Sequence, residues 1–403
     1  MSAGPVRAAI RRLAPDVVDR IAAGEVVERP ASVVKELVEN ALDAGATEIA
    51  VELSGGGLAS IEVRDDGFGI PASELPLAVE RYATSKLSEA EGLESIGTLG
   101  FRGEALAAIA AVAHLRLISR AADAPEGAEL DVDGGAVGAV RPAGRAVGTT
   151  VTVGELFYNV PARRKFLRGA AAEQLAVGDV VDRLYLARSD VLLSVASEGR
   201  ELRRYPRSAN RRDAAARVLG EEILDHAVDV LDGPTDGVTI LGVVGRPSLH
   251  RGTSQGIVIA VNGRVVDSRL LAQAVRLAYQ DYLPPSRFPV AVLELTVDPA
   301  RVDVNVHPTK REVRIARERD LAERVRVVVR GAIREGSHVV SRDLPARSAS
   351  WSVGSSAGPG IPEEPPTLDR DVPLAALPAS RQRTLGEPSP MANVPGTSRH
   401  PEL

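Results

Sequence analysis

The segment Pro30-Ala31-Ser32-Val33-Val34-Lys35-Glu36-Leu37-Val38-Glu39-Asn40-Ala41-Leu42-Asp43-Ala44-Gly45 opens on proline and ends on glycine, residues that favour the start and the stop of a helix. Val34, Leu37, Val38, Ala41 and Leu42 make an apolar stripe, while Glu36, Asn40 and Asp43 recur at i, i+4 and i+7 on the other face. An amphipathic helix with a solvated polar face satisfies this pattern. So does a helix that aims a carboxylate and an amide, one turn apart, at a ligand. In that case Glu36 can take a proton from water, and the Asn40 carbonyl oxygen can ligate a hard cation such as magnesium.

Downstream, Leu58-Ala59-Ser60-Ile61-Glu62-Val63-Arg64 alternates like a strand and runs into Asp65-Asp66-Gly67-Phe68-Gly69-Ile70. An Asp-Gly turn is one reading. The other puts Asp65 at the strand end, accepting a hydrogen bond from a purine amine, with Gly67 and Gly69 letting backbone approach the base.

A third block pairs Arg81-Tyr82-Ala83-Thr84-Ser85-Lys86 with Gly97-Thr98-Leu99-Gly100-Phe101-Arg102-Gly103-Glu104-Ala105-Leu106-Ala107-Ala108-Ile109. The glycines predict a loop that opens a helix at about Glu104. Such a loop is either a flexible surface lid or an anion site, where backbone N–H groups, Lys86 and the Thr84 and Ser85 hydroxyls converge.

Composition narrows the chemistry. The chain has 403 residues, 44% of them hydrophobic, and no cysteine, so disulfides, thiolate metal sites and a cysteine nucleophile are excluded. No apolar run is long enough for a membrane span, and the basic N-terminus lacks the apolar core of a secretory signal. A cytoplasmic protein, nucleoid-associated if it acts on DNA, is expected. The net charge of −5 gives no general affinity for nucleic acid, so DNA binding must come from local patches. Of 49 basic residues only Lys35, Lys86, Lys165 and Lys310 are lysine. Where arginine is the default cation, a lysine marks a place for a compact point charge, such as a phosphate. None follows a glycine, so a P-loop is absent.

The expected fold is α+β. A two-layer α/β sandwich occupies residues 1–210, a smaller βαβ-containing domain 211–335, and a Pro/Ser/Gly-rich disordered linker or tail 336–403. The softer boundary lies at Arg207 to Asp213; the sharper one shows in the last 63 residues, which hold 11 of the 27 prolines and no sustained apolar periodicity. In the second half, Asn262-Gly263 between apolar runs is a type I′ hairpin signal, followed by a helix over Arg269–Tyr279 and a strand over Pro289–Val297.

The three blocks, in this order, resemble the GHKL ATPases, and in detail the MutL mismatch-repair family. Ile21-Ala22-Ala23-Gly24-Glu25-Val26-Val27-Glu28-Arg29-Pro30, Ala83-Thr84-Ser85-Lys86 and Gly100-Phe101-Arg102-Gly103-Glu104-Ala105-Leu106 match its signatures. So do Gly148-Thr149-Thr150-Val151, Leu156 to Leu167, Val261-Asn262-Gly263-Arg264 and Asp303 to Lys310, and the likeness covers about 10 to 335. The resemblance implies an ATPase that acts as a conformational switch. Glu36 is its general base, Asn40 its Mg2+ ligand and Asp65 its adenine reader, with Gly69 and Thr149 beside it. Thr84, Ser85, Lys86 and residues 100–106 form the lid over the phosphates, and Lys310 reaches the terminal phosphate from the second domain.

The family resemblance also implies ATP-dependent homodimerisation, coupling to the mismatch-recognition protein MutS and downstream factors, and sequence-independent DNA binding. Arg269 matches a basic position of the family's DNA groove. The segment 301–334, with ten Arg or Lys against five Asp or Glu, reads either as phosphate-contacting or as an ordinary charged helix face. Many family members continue into a C-terminal domain that dimerises permanently and carries a nuclease. No Asp-Gln-His-Ala run occurs here, so neither property is expected of this chain, which is read as a fragment or a truncated product. A gyrase-like ATPase or a sensor kinase is the enzyme alternative, and a DNA clamp with negligible turnover the non-enzyme one.

Overall fold

In a computed structural model of the chain, the described residues are 11–86, 99–100, 103–303 and 314–339, all within one compact unit. The first half runs α1 (Pro15–Val26), α2 (Pro30–Asp43), β1 (Glu48–Ser54), β2 (Ser60–Asp65), α3 (Leu75–Ala78), α4 (Ala105–Ala111), β3 (His114–Arg120), β4 (Gly127–Asp133), β5 (Ala136–Val137), β6 (Arg141–Ala143), β7 (Gly148–Gly154), α5 (Pro161–Arg164), α6 (Ala170–Ala187), β8 (Leu192–Ser197) and β9 (Arg200–Tyr205). Its strands form one sheet in the order β5-β4-β3-β7-β2-β1-β8-β9, with β6 beside β4. Only β1 and β8 pair in parallel; the other pairs are antiparallel. Buried and less buried residues alternate along β1 and β3, because the helices cover one face of the sheet. Ile49, Val51, Leu53, Ile61, Val63, Leu115 and Leu117 meet Val34, Leu37, Val38, Val177 and Val181 there.

The second half runs α7 (Arg211–Leu219), α8 (Ile223–His226), β10 (Ala227–Thr235), β11 (Val238–Gly245), β12 (His250–Arg251), β13 (Ile257–Val261), β14 (Arg264–Val265), α9 (Arg269–Ala278), β15 (Phe288–Pro289), β16 (Ala291–Val297), β17 (Val302–Asp303), β18 (Arg314–Ile315) and α10 (Glu318–Val339). A five-stranded sheet has the order β10-β11-β16-β13-β14. β13 and β16 are parallel and joined through α9, the expected βαβ unit. Both faces of this sheet are covered, which is why every residue of β13 is buried. Ile257, Ile259 and Leu293 pack under α9 and α10, whereas Val258 and Val292 face Ala215, Ala216 and Leu186. Leu186 belongs to α6, so the end of a first-half helix is built into the second sheet's core.

Asn262 and Gly263 have φ of +50° and +76°, as a type I′ turn requires, and they close the β13–β14 hairpin. α7 starts at the expected boundary, N-capped by Asn210, whose side chain accepts from Arg212 N at 2.8 Å. At the other end the boundary at 335/336 falls inside α10, which continues to Val339: the Leu321, Val325, Val329, Ile333 stripe packs on the second sheet. The tail beyond 339 lies outside the described residues.

Two blocks of the resemblance hold the fold rather than do chemistry. Arg163 donates to the carbonyls of Gly24 and Val27 at 2.8 and 3.1 Å, tying α5 to the end of α1. A Cβ on Gly24 would lie 1.7 Å from the Arg163 guanidinium, so a larger residue there would displace that side chain.

Candidate nucleotide site

α2 is not a surface helix with a solvated face. Twelve of its fourteen residues are buried, among them Lys35, Glu36 and Glu39. Glu36 is 5% exposed and its Oε1 stands 3.5 Å from Lys35 Nζ, which also pairs with Glu39 Oε1 at 2.9 Å. Burial disfavours the Lys35 charge, but Glu39 and Glu36 together outweigh it and hold its pKa above the ordinary value. Burial likewise pushes the Glu39 carboxyl up, against the pull of Lys35, and the nearby Glu36 adds to the rise.

The polar side of α2 faces the lid segments. Lys86 Nζ lies 3.0 Å from Asn40 Oδ1 and 2.5 Å from Asp43 Oδ2. Asp43 also accepts from the backbone N–H of Leu99 and of Gly100, each at 2.8 Å. Donors expected to face phosphate therefore engage α2 in this structure. A Cβ on Gly100 would lie 2.8 Å from Lys86 Nζ, so a larger residue there would push the ammonium aside. Tyr82 N donates to Gly103 O at 3.1 Å, and Thr84 Oγ1 accepts from Lys86 N at 3.1 Å, joining the two segments and shaping the turn at 84–86. Ser85 is exposed. Glu104 holds the N-cap position of α4 without a side-chain capping bond, followed by Ala105 and Leu106 in its first turn. α4 has seven residues, too short to add much of a dipole at that end.

Asp65 ends β2 opposite Thr149 of β7. Its Oδ1 accepts from Gly67 N at 2.9 Å and Thr149 N at 3.2 Å, and among the described residues Oδ2 has no hydrogen-bond partner. Burial raises its pKa, while those two N–H groups oppose the rise. The neighbouring Asp66 is used differently. It accepts from Thr47 N, Thr47 Oγ1 and Glu48 N at 2.6–2.8 Å and so anchors the start of β1. Ser119 Oγ donates to Gly148 O at 3.0 Å and lies 2.9 Å from Thr149 Oγ1. With its one proton used on Gly148, Ser119 must accept from Thr149, which leaves the Thr149 oxygen as an acceptor. Gly69 has φ +72°, and a Cβ there would lie 2.0 Å from Arg120 O. Phe68 N donates to Ala44 O at 3.0 Å, so the Asp65 loop rests on the end of the helix that carries Glu36 and Asn40.

One further residue belongs to this cluster although its sequence motif signals no role. Arg264, at the start of β14, is 4% exposed and donates to the Leu99 carbonyl. Its charge acts on both Lys35 and Glu39. A cation of the second half thus reaches the lid root and the charged base of α2. Glu39, Asp43 and Ser119 likewise have no role assigned by sequence. Glu39 and Asp43 lie on the polar side of the helix, where a signal exists; Arg264 and Ser119 meet their partners only through the fold. Phe101, Arg102 and Lys310 lie outside the described residues. Arg269 is exposed at the first turn of α9, far along the chain from the lid, and Lys165 is exposed after α5. No helix among the described residues is long and apolar enough to cross a membrane.

A buried acid and a half-buried amide one turn apart, a strand-end aspartate with an open oxygen and a glycine-rich lid define a class of nucleotide-binding ATPase domain. The family model of the histidine kinase-, DNA gyrase B- and HSP90-like ATPases matches residues 28–137, and that of the C-terminal domain of DNA mismatch repair proteins matches 215–334. The DNA mismatch repair protein MutL of Anaeromyxobacter sp. (strain K) is 43% identical over 396 residues, 97% of this chain and 65% of the relative. That of Xanthomonas oryzae pv. oryzae is 51% identical over 312 residues, 77% of this chain and 50% of the relative. The solved N-terminal domain of a DNA repair protein superposes with a TM-score of 0.69 at 25% identity, over 80% of this chain and 99% of that one. The Aquifex aeolicus MutL ATPase domain complexed with ADP gives 0.52 at 28% identity, over 68% and 94%. The chain belongs to the MutL family of DNA mismatch repair proteins, and it spans 65% or less of the length of these curated relatives.

Proposed function

We propose that the chain binds ATP with Mg2+ and hydrolyses it slowly, as a conformational switch in DNA mismatch repair. The observation that carries this reading is the buried polar side of α2, where Glu36 and Asn40 lie beneath the lid root and beside the Asp65 loop. Asp65 Oδ2 accepts the exocyclic amine of adenine, while Gly67 and Thr149 hold the carboxylate in plane by its other oxygen. Gly69 and Thr149 line the base. Lys86 leaves Asn40 and Asp43 for the phosphates, and Thr84, Ser85, Gly100, Phe101, Arg102, Gly103, Glu104, Ala105 and Leu106 close over them.

Asn40 Oδ1 already draws a cation, the Lys86 ammonium, so this neutral hard oxygen suits Mg2+. The ion would be held by this one protein oxygen together with phosphates and water. Bound there, Mg2+ supplies charge neutralisation on the phosphate oxygens. Glu36 takes the proton of the attacking water, and its burial beside Lys35 keeps bulk water from competing. Lys310 of the second half reaches the terminal phosphate, which makes ATP and ADP different ligands for the two-domain arrangement.

The wider role rests on the family resemblance of the motifs. The ATP-bound form pairs with a second copy, binds DNA without sequence preference, with Arg269 and the 301–334 segment among its contacts, and passes the signal of the mismatch-recognition protein MutS to downstream factors in the cytoplasm. Phosphate release is the decisive test: Glu36→Ala should abolish it while ATP still binds. Release by the unaltered chain no faster than by Glu36→Ala would instead favour a clamp without turnover. Sedimentation with ADP and with a non-hydrolysable ATP analogue, for the unaltered chain and Lys310→Ala, tests the pairing. It should be analogue-dependent, concentration-dependent and lost in Lys310→Ala.

A further inference from the structure

The loop between β6 and β7 holds a single charged residue between Arg141 and Thr150. This is Arg145, in a run of small and apolar neighbours that would ordinarily leave it in solvent. The fold turns it onto the end of β2 instead. Its Nη2 donates to the carbonyl oxygen of Asp65 at 2.7 Å, its Nε to that of Gly148 at 3.0 Å and its Nη1 to Thr150 Oγ1 at 2.5 Å. Gly148 has φ +120°, and a Cβ there would lie 2.2 Å from the same Asp65 oxygen, so the backbones meet here with no room for a side chain. One guanidinium thus ties the last residue of β2 to Gly148 and Thr150 of β7, on either side of Thr149, whose N–H holds the Asp65 carboxylate.

All three partners are uncharged oxygens, and Arg145 forms no ion pair among the described residues. Burial disfavours its charge, and of the charges around it Asp65 supports it most, ahead of the effects of Arg64 and Glu62. The influence is mutual. Burial is the largest effect on Asp65 and raises its pKa, while the Gly67 and Thr149 N–H groups and then Arg145 hold it down. Asp66 opposes Arg145 there, but its own carboxylate is engaged by Thr47 and Glu48. From β3, Arg120 spends its donors on the carbonyls of Ala124 and Arg145.

We propose that Arg145 is a positioning residue for nucleotide recognition: it staples β2 to β7 so that the Asp65 carboxylate stands in register with Thr149, and its unshared charge keeps that carboxylate an acceptor for the purine amine. The inference rests on the nucleotide-binding reading above and adds the residue that sets the pH range and base preference of the site. An ionised carboxylate accepts from the exocyclic amine of adenine and repels the carbonyl oxygen that guanine presents at the same place. The protonated acid donates to that carbonyl instead. Losing Arg145 therefore weakens ATP and the discrimination against GTP together, most where Asp65 can take up a proton.

The test is calorimetric titration of ATP and GTP into the full chain at mildly acid and mildly alkaline pH, with Arg145→Gln and Arg145→Lys beside it. Arg145→Gln should weaken ATP about tenfold on the acid side and less than about threefold on the alkaline side. Its ratio of ATP to GTP affinity should fall on the acid side alone. Arg145→Lys keeps the charge and loses the planar fork, so it should weaken ATP about threefold at both pH values and hold the ratio. The Asp65 carboxyl carbon, followed by NMR against pH without nucleotide, should titrate at higher pH in Arg145→Gln and at an unchanged pH in Arg145→Lys. Equal losses of ATP on both sides in Arg145→Gln, or an Asp65 titration that this variant leaves in place, would overturn the charge role. Were Arg145→Gln to unfold, an Asp65 titration raised in Arg145→Lys would overturn it by itself. ATP held as tightly by Arg145→Lys as by the unaltered chain would overturn the staple. If the unaltered chain binds no ATP, the nucleotide reading fails and this proposal with it. If it binds ATP and the variants show none of these differences, only the role of Arg145 fails.

Discussion

Lys86 reaches across 46 positions of sequence to place its ammonium 3.0 Å from the side-chain oxygen of Asn40. The same ammonium pairs with Asp43, whose oxygens also hold the backbone of Leu99 and Gly100. Asp43 therefore fastens both lid segments to the helix that carries the candidate base. Lys86 also stands on the oxygen proposed for the metal, so magnesium and Lys86 cannot use that oxygen together.

Lys86→Met should lower the stability of the protein without nucleotide by about 1–2 kcal/mol, since Asp43 keeps two N–H donors but loses its buried counter-charge. Lys86→Arg should not restore it, because a planar guanidinium cannot take the place of a compact ammonium between the two oxygens. Chemical denaturation of the three proteins measures this. Full rescue by arginine would show that charge alone matters here.

Arg264→Met removes a cation whose neighbours are buried, and a loss of about 3 kcal/mol is expected. Glu39→Gln in that background should recover about 1 kcal/mol, because it removes the carboxylate left without the Arg264 charge. Additive losses in the four-protein cycle would refute the coupling between second half and α2.

Asp65→Asn should lose nucleotide binding while making the protein slightly more stable at neutral pH. The folded-state pKa of Asp65 is raised above the ordinary 3.8 by burial, so its charged form is what the fold disfavours. The amide keeps an oxygen for Gly67 and Thr149 and removes the charge, which should lift the thermal midpoint by about 2 °C. By the same sign, the cost of the Asp65 charge disappears as pH falls through the raised pKa. Protonation on Oδ2 then turns a donor toward the adenine amine, so ATP affinity should fall at a higher pH than an ordinary aspartate allows. Calorimetric titration against pH tests this, and affinity that is flat down to the ordinary carboxylate range would rule it out.

Glu36→Gln should retain ATP with an affinity within about threefold of the unaltered chain and release phosphate at least a hundredfold more slowly, the range of a lost general base. Lys35→Met should lower the rate as well, through the placing of Glu36, and its pH–rate profile should shift where that of Glu36→Gln vanishes. An unchanged profile in Lys35→Met would confine Lys35 to packing.

The local order of the chain is readable from residue patterns alone. The Pro30 and Gly45 signals bracket α2, alternation finds β2, Asn262-Gly263 sets the hairpin, and residues 269–279 and 289–297 give α9 and β16 to within two residues. These features depend on neighbours in sequence, where backbone preference and hydrophobic period act directly. The candidate nucleotide residues are also readable, because the motifs resemble those of a family. Tertiary structure decided what periodicity could not. The polar face of α2, which suits water as well as a ligand, is buried because Lys86, Leu99, Gly100 and Arg264 are folded against it from distant parts of the chain. Of two adjacent aspartates, strand register sets Asp65 against Thr149 and Asp66 onto Thr47 and Glu48. Arg264 stands in a matched motif, but its partners, like those of Ser119, are brought beside it only when sheets and helices pack. A charge in a sequence is solvated by default, and only the fold determines which charges lose that solvent and must find one another.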